Sequence, residues 1–159
     1  MEIHNIPPLY DKDSEILILG SFPSQKSREA QFFYGHMQNR FWRVLAAVLG
    51  CKVPKTIEEK RQMLLCHHIA LWDVIASCEI VGSSDSSIKN VVPNDISAIL
   101  KGSKIKRIFV NGKTAEKYYN KYILPAVGIS AVSLPSTSPA NAACSLESLI
   151  EKWEKILKG

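Results

Sequence analysis

With 159 residues, 46% of them hydrophobic, the chain is long enough for one domain with a substantial core and too short for two large ones. No run approaches the roughly 20 apolar residues that cross a bilayer. The start, Met1-Glu-Ile-His-Asn-Ile-Pro-Pro8, carries neither a basic flank nor an apolar segment, so a cytoplasmic location is expected. The 20 Lys and Arg against 15 Asp and Glu leave a formal charge of +5. That balance favours an anionic partner such as nucleic acid without requiring one, since no continuous basic stripe is visible.

The first strand-like run, Glu15-Ile-Leu-Ile-Leu-Gly20, leads into Ser21-Phe-Pro-Ser24. Gly20 permits an unusual backbone angle and Pro23 fixes the next bend, but the segment is neither G-x-G-x-x-G nor a phosphate loop, so no nucleotide cofactor is expected. Next comes Phe32-Phe-Tyr-Gly-His-Met-Gln-Asn-Arg-Phe-Trp42, with five aromatics and an Asn-Arg pair in eleven residues. These rings make either an ordinary core cluster, with Asn39 as a helix N-cap, or a platform for a planar base. Phe41, Val44, Leu45, Val48 and Leu49 then share one helical face, and Gly50 stops it. Thr56 with Glu59 forms a capping-box pattern before a helix through about Leu65.

A second run, His68-Ile-Ala-Leu-Trp72, ends in Asp73. His67 and His68, neighbours on this presumed strand, would point to opposite faces and cannot chelate one ion together. Gly82-Ser-Ser-Asp-Ser-Ser87 reads as a long surface loop after that strand. Pro93-Asn94-Asp95 opens a helix closed by Gly102. A third run, Lys106-Arg-Ile-Phe-Val110, leads into Asn111-Gly112-Lys113, and Ala115, Tyr118, Tyr119, Tyr122 and Ile123 line a helix that should end near Pro125. The fourth run, Ile129-Ser-Ala-Val-Ser-Leu134, leads into Pro135-Ser-Thr-Ser-Pro-Ala-Asn141, and Leu146, Leu149, Ile150, Trp153 and Leu157 line a last helix. Cys51, Cys66, Cys78 and Cys144 show no C-x-x-C spacing and no pairing with histidines at metal-ligand intervals, so they are expected to be reduced, mostly buried thiols and no metal is implied.

The alternation of strand and helix implies a parallel sheet covered on both faces. The chain is therefore read as α/β, a single domain over residues 1–159: a three-layer α/β/α sandwich around a mainly four-stranded parallel sheet. In such a sheet ligands bind beyond the carboxyl ends of the strands, which is where all four polar clusters fall.

Gly20-Ser-Phe-Pro-Ser24, Phe33-Tyr-Gly-His-Met-Gln-Asn-Arg-Phe-Trp42 and Pro135-Ser-Thr-Ser-Pro-Ala-Asn141 closely resemble, in this order, the motifs of the uracil-DNA glycosylase superfamily. The nearest branch is that of the hypoxanthine-DNA (deoxyinosine) glycosylases, with the mismatch-specific uracil/thymine enzymes close behind. Ala70-Leu-Trp-Asp-Val74, Gly82-Ser-Ser-Asp-Ser86 and Val110-Asn-Gly-Lys113 also fall where that branch has similar segments. The resemblance implies that Gly20 to Ser24 form the base-contacting loop. Where many members carry a water-orienting Asp or Asn this chain has Phe22, and the role passes to Asn39; where typical uracil enzymes have a base-contacting His it has Ser136. Both departures count against efficient uracil excision.

The implied activity is removal of a deaminated base from DNA, with hypoxanthine the first choice and uracil or mismatched uracil or thymine the alternative. Breaking the bond between sugar and base passes through an oxocarbenium-like sugar, which needs a flipped nucleotide, a positioned water and no metal, cofactor or covalent nucleophile. Asn39 is the expected catalytic residue, orienting water by its carbonyl oxygen. Ser21, Phe22, Phe33, Tyr34, Asp73 and Asn111 are the expected base contacts. Ser24, Lys113, Ser136, Thr137, Ser138, Pro139, Ala140 and Asn141 are the expected DNA contacts, with Ala140 or Asn141 filling the space left by the base and Arg40 either adding a phosphate contact or simply solvated. The partner is DNA and the protein is expected to be a monomer. Two other classes stay open: a non-catalytic nucleic-acid binder, because of Phe22, and a hydrolase using Ser21 or Ser136 with a histidine, although no G-x-S-x-G is present and only His36 lies near a motif.

Overall fold

In the computed structural model, which describes residues 2–3, 6–82 and 84–157, the four apolar runs pair as one parallel sheet. After the two-residue β1 (Glu2–Ile3), its strands are β2 (Ile16–Gly20), β3 (Ile69–Asp73), β6 (Arg107–Asn111) and β7 (Ala131–Leu134), in the order β3-β2-β6-β7. Register puts Gly20 opposite Asp73, Leu19 opposite Val110 and Asn111 opposite Leu134. The polar residues at the ends of separate runs therefore finish level with one another at one edge.

The two faces of the sheet are read directly from strand alternation. Ile18, Leu71 and Phe109 face one core with α2 (Phe41–Leu49), α3 (Ile57–Cys66) and α7 (Leu146–Trp153). Leu17, Leu19, Ala70, Ile108 and Val110 face the other, with α4 (Ser97–Lys101) and α5 (Lys113–Tyr118). Continuous apolar runs are what a strand buried on both faces requires. The helix signals act as expected at α2 and α3: Gly50 closes α2 at φ 72°, and Thr56 and Glu59 exchange side-chain-to-backbone bonds at 3.0 and 3.1 Å.

Several expectations are corrected. A second, antiparallel sheet, β1-β4-β5, is formed with β4 (Ile75–Glu79) and β5 (Lys89–Pro93). It starts because the chain leaving β3 passes the end of β2: Val74 N–H donates to Gly20 O at 2.7 Å and Ile75 N–H to Ser21 O at 3.0 Å. The stretch 82–87, of which Ser83 lies outside the described residues, thus follows β4 and contains a 3₁₀ turn, Asp85–Ser87. His67 caps α3 and His68 sits at φ 61°, so β3 begins at Ile69. Pro93 ends β5, and α4 begins only at Ser97, whose N–H donates to Asp95 Oδ1. An unforeseen short helix, α1 (Gln25–Ala30), is capped by Ser24.

Pro125 does not end its helix. A π-helical turn, Tyr119–Ile123, precedes α6 (Leu124–Val127), which holds Pro125 in its first turn and stops at Gly128. The wider turn shifts the hydrogen-bond register ahead of the proline, whose ring would otherwise meet the carbonyl one α-turn back. At the other end α7 tightens into a 3₁₀ turn, Glu154–Leu157. The changed period buries Ile156 and leaves Leu157 exposed. Of the four thiols, Cys51 and Cys66 are exposed, Cys144 is half-buried and only Cys78 is buried. Surface helix ends, rather than the core, hold the first two.

Trp153 is a keystone between layers, with no exposed surface, its ring edge-on to Phe41 at 5.7 Å, and its indole N–H donating to Pro135 O at 2.9 Å. Trp153→Ala is expected to cost about 3–5 kcal/mol, measured as a lowered urea midpoint at unchanged m-value. A loss below about 1 kcal/mol would show that the α7 face packs loosely.

Candidate active site

The aligned carboxyl ends of the strands open into a crevice of about 1140 Å³. Its wall includes Gly20 to Ser24 from the exit of β2, Asp73 from β3, Asn111 to Lys113 from β6, and residues 133–141 running out of β7. Phe33, Tyr34 and Asn39 close it from the segment before α2, and Asp85 stands at its edge.

The aromatic segment divides between the two roles weighed for it. Phe32, Phe33, Phe41 and Trp42 are buried in the core. Tyr34 is only partly buried and is held at φ 51°, in the left-handed region that bulky side chains rarely adopt. Its ring lies on Phe41 with centroids 4.0 Å apart and planes 13° from parallel, which covers one face. Its hydroxyl meets Asn111 Nδ2 at 3.2 Å. A Cβ on Gly20 would fall 2.6 Å from Asp73 Oδ1 and 2.9 Å from that hydroxyl, so the close approach requires glycine.

From Tyr34 a chain of hydrogen bonds crosses the floor of the crevice. Asn111 Nδ2 donates to the Tyr34 hydroxyl and to Thr137 Oγ1, while Asn111 Oδ1 accepts the Thr137 N–H. Thr137 Oγ1 donates in turn to Asn39 Oδ1 at 2.8 Å, and the same oxygen accepts the Phe41 N–H at 3.0 Å. Asn39 Oδ1 thus already holds two donors, and its Nδ2 has no protein partner among the described residues. The N-cap of α2 is Arg40, not Asn39; the Asn39 bond to Phe41 N–H is a turn one residue earlier.

Arg40 is no solvated charge and no free phosphate ligand. Its backbone N–H donates to Thr137 O, and its guanidinium donates to the carbonyls of Ser138, Asn141 and Cys144. That clamp shapes the loop after β7. Within the loop Ser138 N–H donates to Ser136 Oγ, Ala140 N–H to Ser138 Oγ, and Asn141 Nδ2 to Ser136 O. Gly112, at φ 95°, lets Ser136 pack against it, since a Cβ there would lie 3.0 Å from Ser136 Cβ.

Among the expected DNA contacts, Lys113, Pro139 and Ala140 are exposed, whereas Thr137 is wholly buried and its polar groups are all engaged inside the protein. Thr137 is therefore a brace and not a phosphate contact. Ser24 is committed to capping α1 through Ser27 N–H, and Asn111, with both amide hydrogens engaged, can meet a base edge without breaking a bond only by accepting at Oδ1. Phe22 is buried in the second core with Arg28 over its ring at 5.2 Å, so it backs the crevice as an apolar group. Lys152 of α7 lines the same rim as Lys113 and was not singled out in the sequence. Among the described residues no serine of the crevice has a histidine partner: Ser21 Oγ faces Asp85 at 3.4 Å, and His36 Nδ1 accepts the Gln38 N–H. The hydrolase reading has no triad.

The electrostatics of the crevice centre on Asp73. It is 4% exposed, and its Oδ2 has no hydrogen-bond partner. Burial, reinforced by the charge of Asp85, pushes its pKa up to about 7. Asp85 is itself raised by desolvation, against opposing hydrogen bonds from Ser21 and Thr114. The Tyr34 phenol lies far above its ordinary range, first through burial and then through Asp73. Among the described residues no cluster of His, Cys, Asp and Glu has the makings of a metal site, and no helix is long and apolar enough to cross a membrane.

Comparison with known proteins places this geometry. The profile of the uracil DNA glycosylase superfamily matches residues 7–157. The chain belongs to this superfamily. It is 35% identical to a protein of Methanosarcina acetivorans named hypoxanthine DNA glycosylase, over 96% of both chains. It is also 35% identical to one of the same name from Methanosarcina barkeri, over 99% of both. A solution NMR structure of a candidate uracil DNA glycosylase from Methanosarcina acetivorans superposes with a TM-score of 0.84 at 34% identity, covering 99% of this chain and 98% of that one.

The raised pKa of Asp73 has a consequence for stability. The folded state holds this proton more tightly than the unfolded chain, whose carboxyl titrates near 3.8. Its contribution is therefore complete below about pH 4 and lost as pH rises through about 7. Asp73→Asn is expected to remove that slope and to raise stability at pH 8 by roughly 2–4 kcal/mol. Denaturant melts at pH 5 and pH 8 check this; a variant less stable than wild type at pH 8 would mean the carboxylate is solvated.

Proposed function

We propose that this chain, a DNA glycosylase by family, hydrolyses the bond between deoxyribose and hypoxanthine in DNA. Two full-length relatives bear that activity in their names. The observation that carries the reading is the Asn39 amide, locked in the crevice by Thr137 and Phe41, in a protein whose β2 loop offers only Phe22 where many superfamily members orient water.

In this reading the duplex is held at its phosphates by Lys113, Lys152 and the loop after β7, contacts that position the DNA without reading its sequence. The exposed tip at Pro139 and Ala140 enters the gap as the target nucleotide leaves the stack. The base comes to rest in the crevice against Phe33, Tyr34 and Phe22. With Asn39 Oδ1 occupied, Nδ2 is the end that holds the attacking water, by donating to its oxygen beneath C1′. An oxocarbenium-like sugar needs only a weak nucleophile, so positioning and electrostatics supply most of the acceleration. We further infer a single domain that acts as a monomer in the cytoplasm and needs no metal or cofactor.

Single-turnover release of hypoxanthine from a duplex, scored as alkali-labile abasic sites and compared with uracil in the same context, tests this reading. Hypoxanthine should be released faster, and activity should survive excess chelator. A protein that leaves hypoxanthine in place, or that acts on uracil alone, overturns it. Asn39→Ala should lower excision at least about 100-fold while costing only about 1 kcal/mol of stability, as loss of a turn-capping group does, with duplex binding retained. Near-normal excision by that variant would dismiss Asn39 from catalysis.

A further inference from the structure

We propose that Asp73 is the general acid of the reaction, delivering a proton to the departing base as the bond between the base and C1′ breaks. The proposal rests on the hypoxanthine reading and deepens it.

Its geometry is that of a donor waiting for an acceptor. Asp73 closes β3 at the level of Gly20, lines the crevice, and is 4% exposed. Its backbone is pinned, the carbonyl accepting Asn94 Nδ2 at 2.8 Å. One carboxyl oxygen lies against Gly20, whose missing Cβ makes the space. The other, Oδ2, has neither solvent nor a protein partner. A carboxylate so placed loses its hydration with nothing in return, which a neutral carboxylic acid largely avoids. The titratable groups that face it are the Tyr34 phenol, from the segment before α2, and Asp85, from the 3₁₀ turn after β4. Neither is a cation. The charge of Asp85 favours the proton, in keeping with a pKa pushed up to about 7, and a bound duplex adds phosphate charge of the same sign. Asp73 lines the crevice, and with no protein acceptor at Oδ2 the acid is left to turn its proton to a base that enters.

Hypoxanthine supplies one. As a purine it leaves more readily when a ring nitrogen, N7, takes a proton, whereas uracil already leaves as a stabilised anion. As the N9–C1′ bond breaks, its electron pair stays on the base. The Asp73 proton passes to N7, and the water that adds to C1′ gives up a proton that restores Asp73. One water is consumed, and no oxidant or reductant is involved. The acid also accounts for the modest machinery on the water side: with the leaving group protonated, the neutral Asn39 suffices.

The test is single-turnover excision of hypoxanthine from a duplex at pH 5.5 to 9, for wild type, Asp73→Asn and Asp85→Asn, with duplex affinity and melting temperature measured on each. Wild type should be flat at low pH and fall about tenfold per unit above the Asp73 pKa. Asp73→Asn should bind duplex and melt no lower at pH 8, yet react at least about 100-fold slower at pH 6 with no break in its profile. Asp85→Asn should move the wild-type break to lower pH, a shift that a purely structural role would not produce. If wild type releases hypoxanthine and Asp73→Asn follows it within threefold with the same profile, the acid is overturned and the substrate reading stands. Rates that rise with pH in wild type overturn it as well. If wild type releases no hypoxanthine at any pH, the substrate reading fails and takes the acid with it.

Discussion

The bonds between the start of α2 and the loop after β7 hold the crevice in shape. Asn39 and Thr137 are 98 residues apart in sequence and meet at 2.8 Å, while Arg40 next door takes three carbonyls of the same loop. A loop with serines and prolines at its exposed edge has little packing of its own to fix it. Charge-assisted bonds from one guanidinium give it a single conformation, because Arg presents several donors in a rigid fork. The same junction orients the Asn39 amide and, through Thr137 and Asn111, the Tyr34 hydroxyl. Asn39, Tyr34 and the loop after β7 form one hydrogen-bonded unit.

A second constraint is electrostatic. The protein as a whole carries a formal charge of +5, suited to a polyanion, while in the crevice the charge of Asp85 acts on the buried Asp73. Lys113 and Lys152 stand at the rim of the crevice, where positive charge favours a polyanion. At Asp73, burial and then the charge of Asp85, an exposed residue at the crevice edge, favour the proton, and the Tyr34 phenol is raised by burial and then by Asp73. Such separation of surface attraction from interior protonation is available only to a site deep enough to exclude solvent.

The architecture was legible in the sequence to the extent that local chemistry governs it. Alternating burial of Leu17, Ile18 and Leu19, the Thr56–Glu59 box and the Gly50 stop are short-range effects, visible in any window that contains them. The resemblance of three ordered motifs likewise led to the family that the comparison shows. Local reasoning went astray where the hydrogen-bond register shifted or where other parts of the chain intervened. Pro125 stays helical because a π turn precedes it, the strand through Ile75 exists because β1 and β5 flank it, and the phosphate role given to Thr137 gave way to burial.

What the sequence by itself determined is therefore the four parallel strands and the main helices between them, the edge at which their polar ends collect, and the identity of the residues there, since propensity, period and turn chemistry act over a few residues. The tertiary structure decided what each of those residues can do. It assigned Arg40 to a carbonyl clamp, used up the Asn111 amide and the Asn39 carbonyl oxygen in internal bonds, and brought Asp85 from a serine-rich turn close enough to act on Asp73. Hydrogen-bond satisfaction and desolvation depend on every atom within a few ångströms, from whatever part of the chain it comes, and no pattern along one dimension records them.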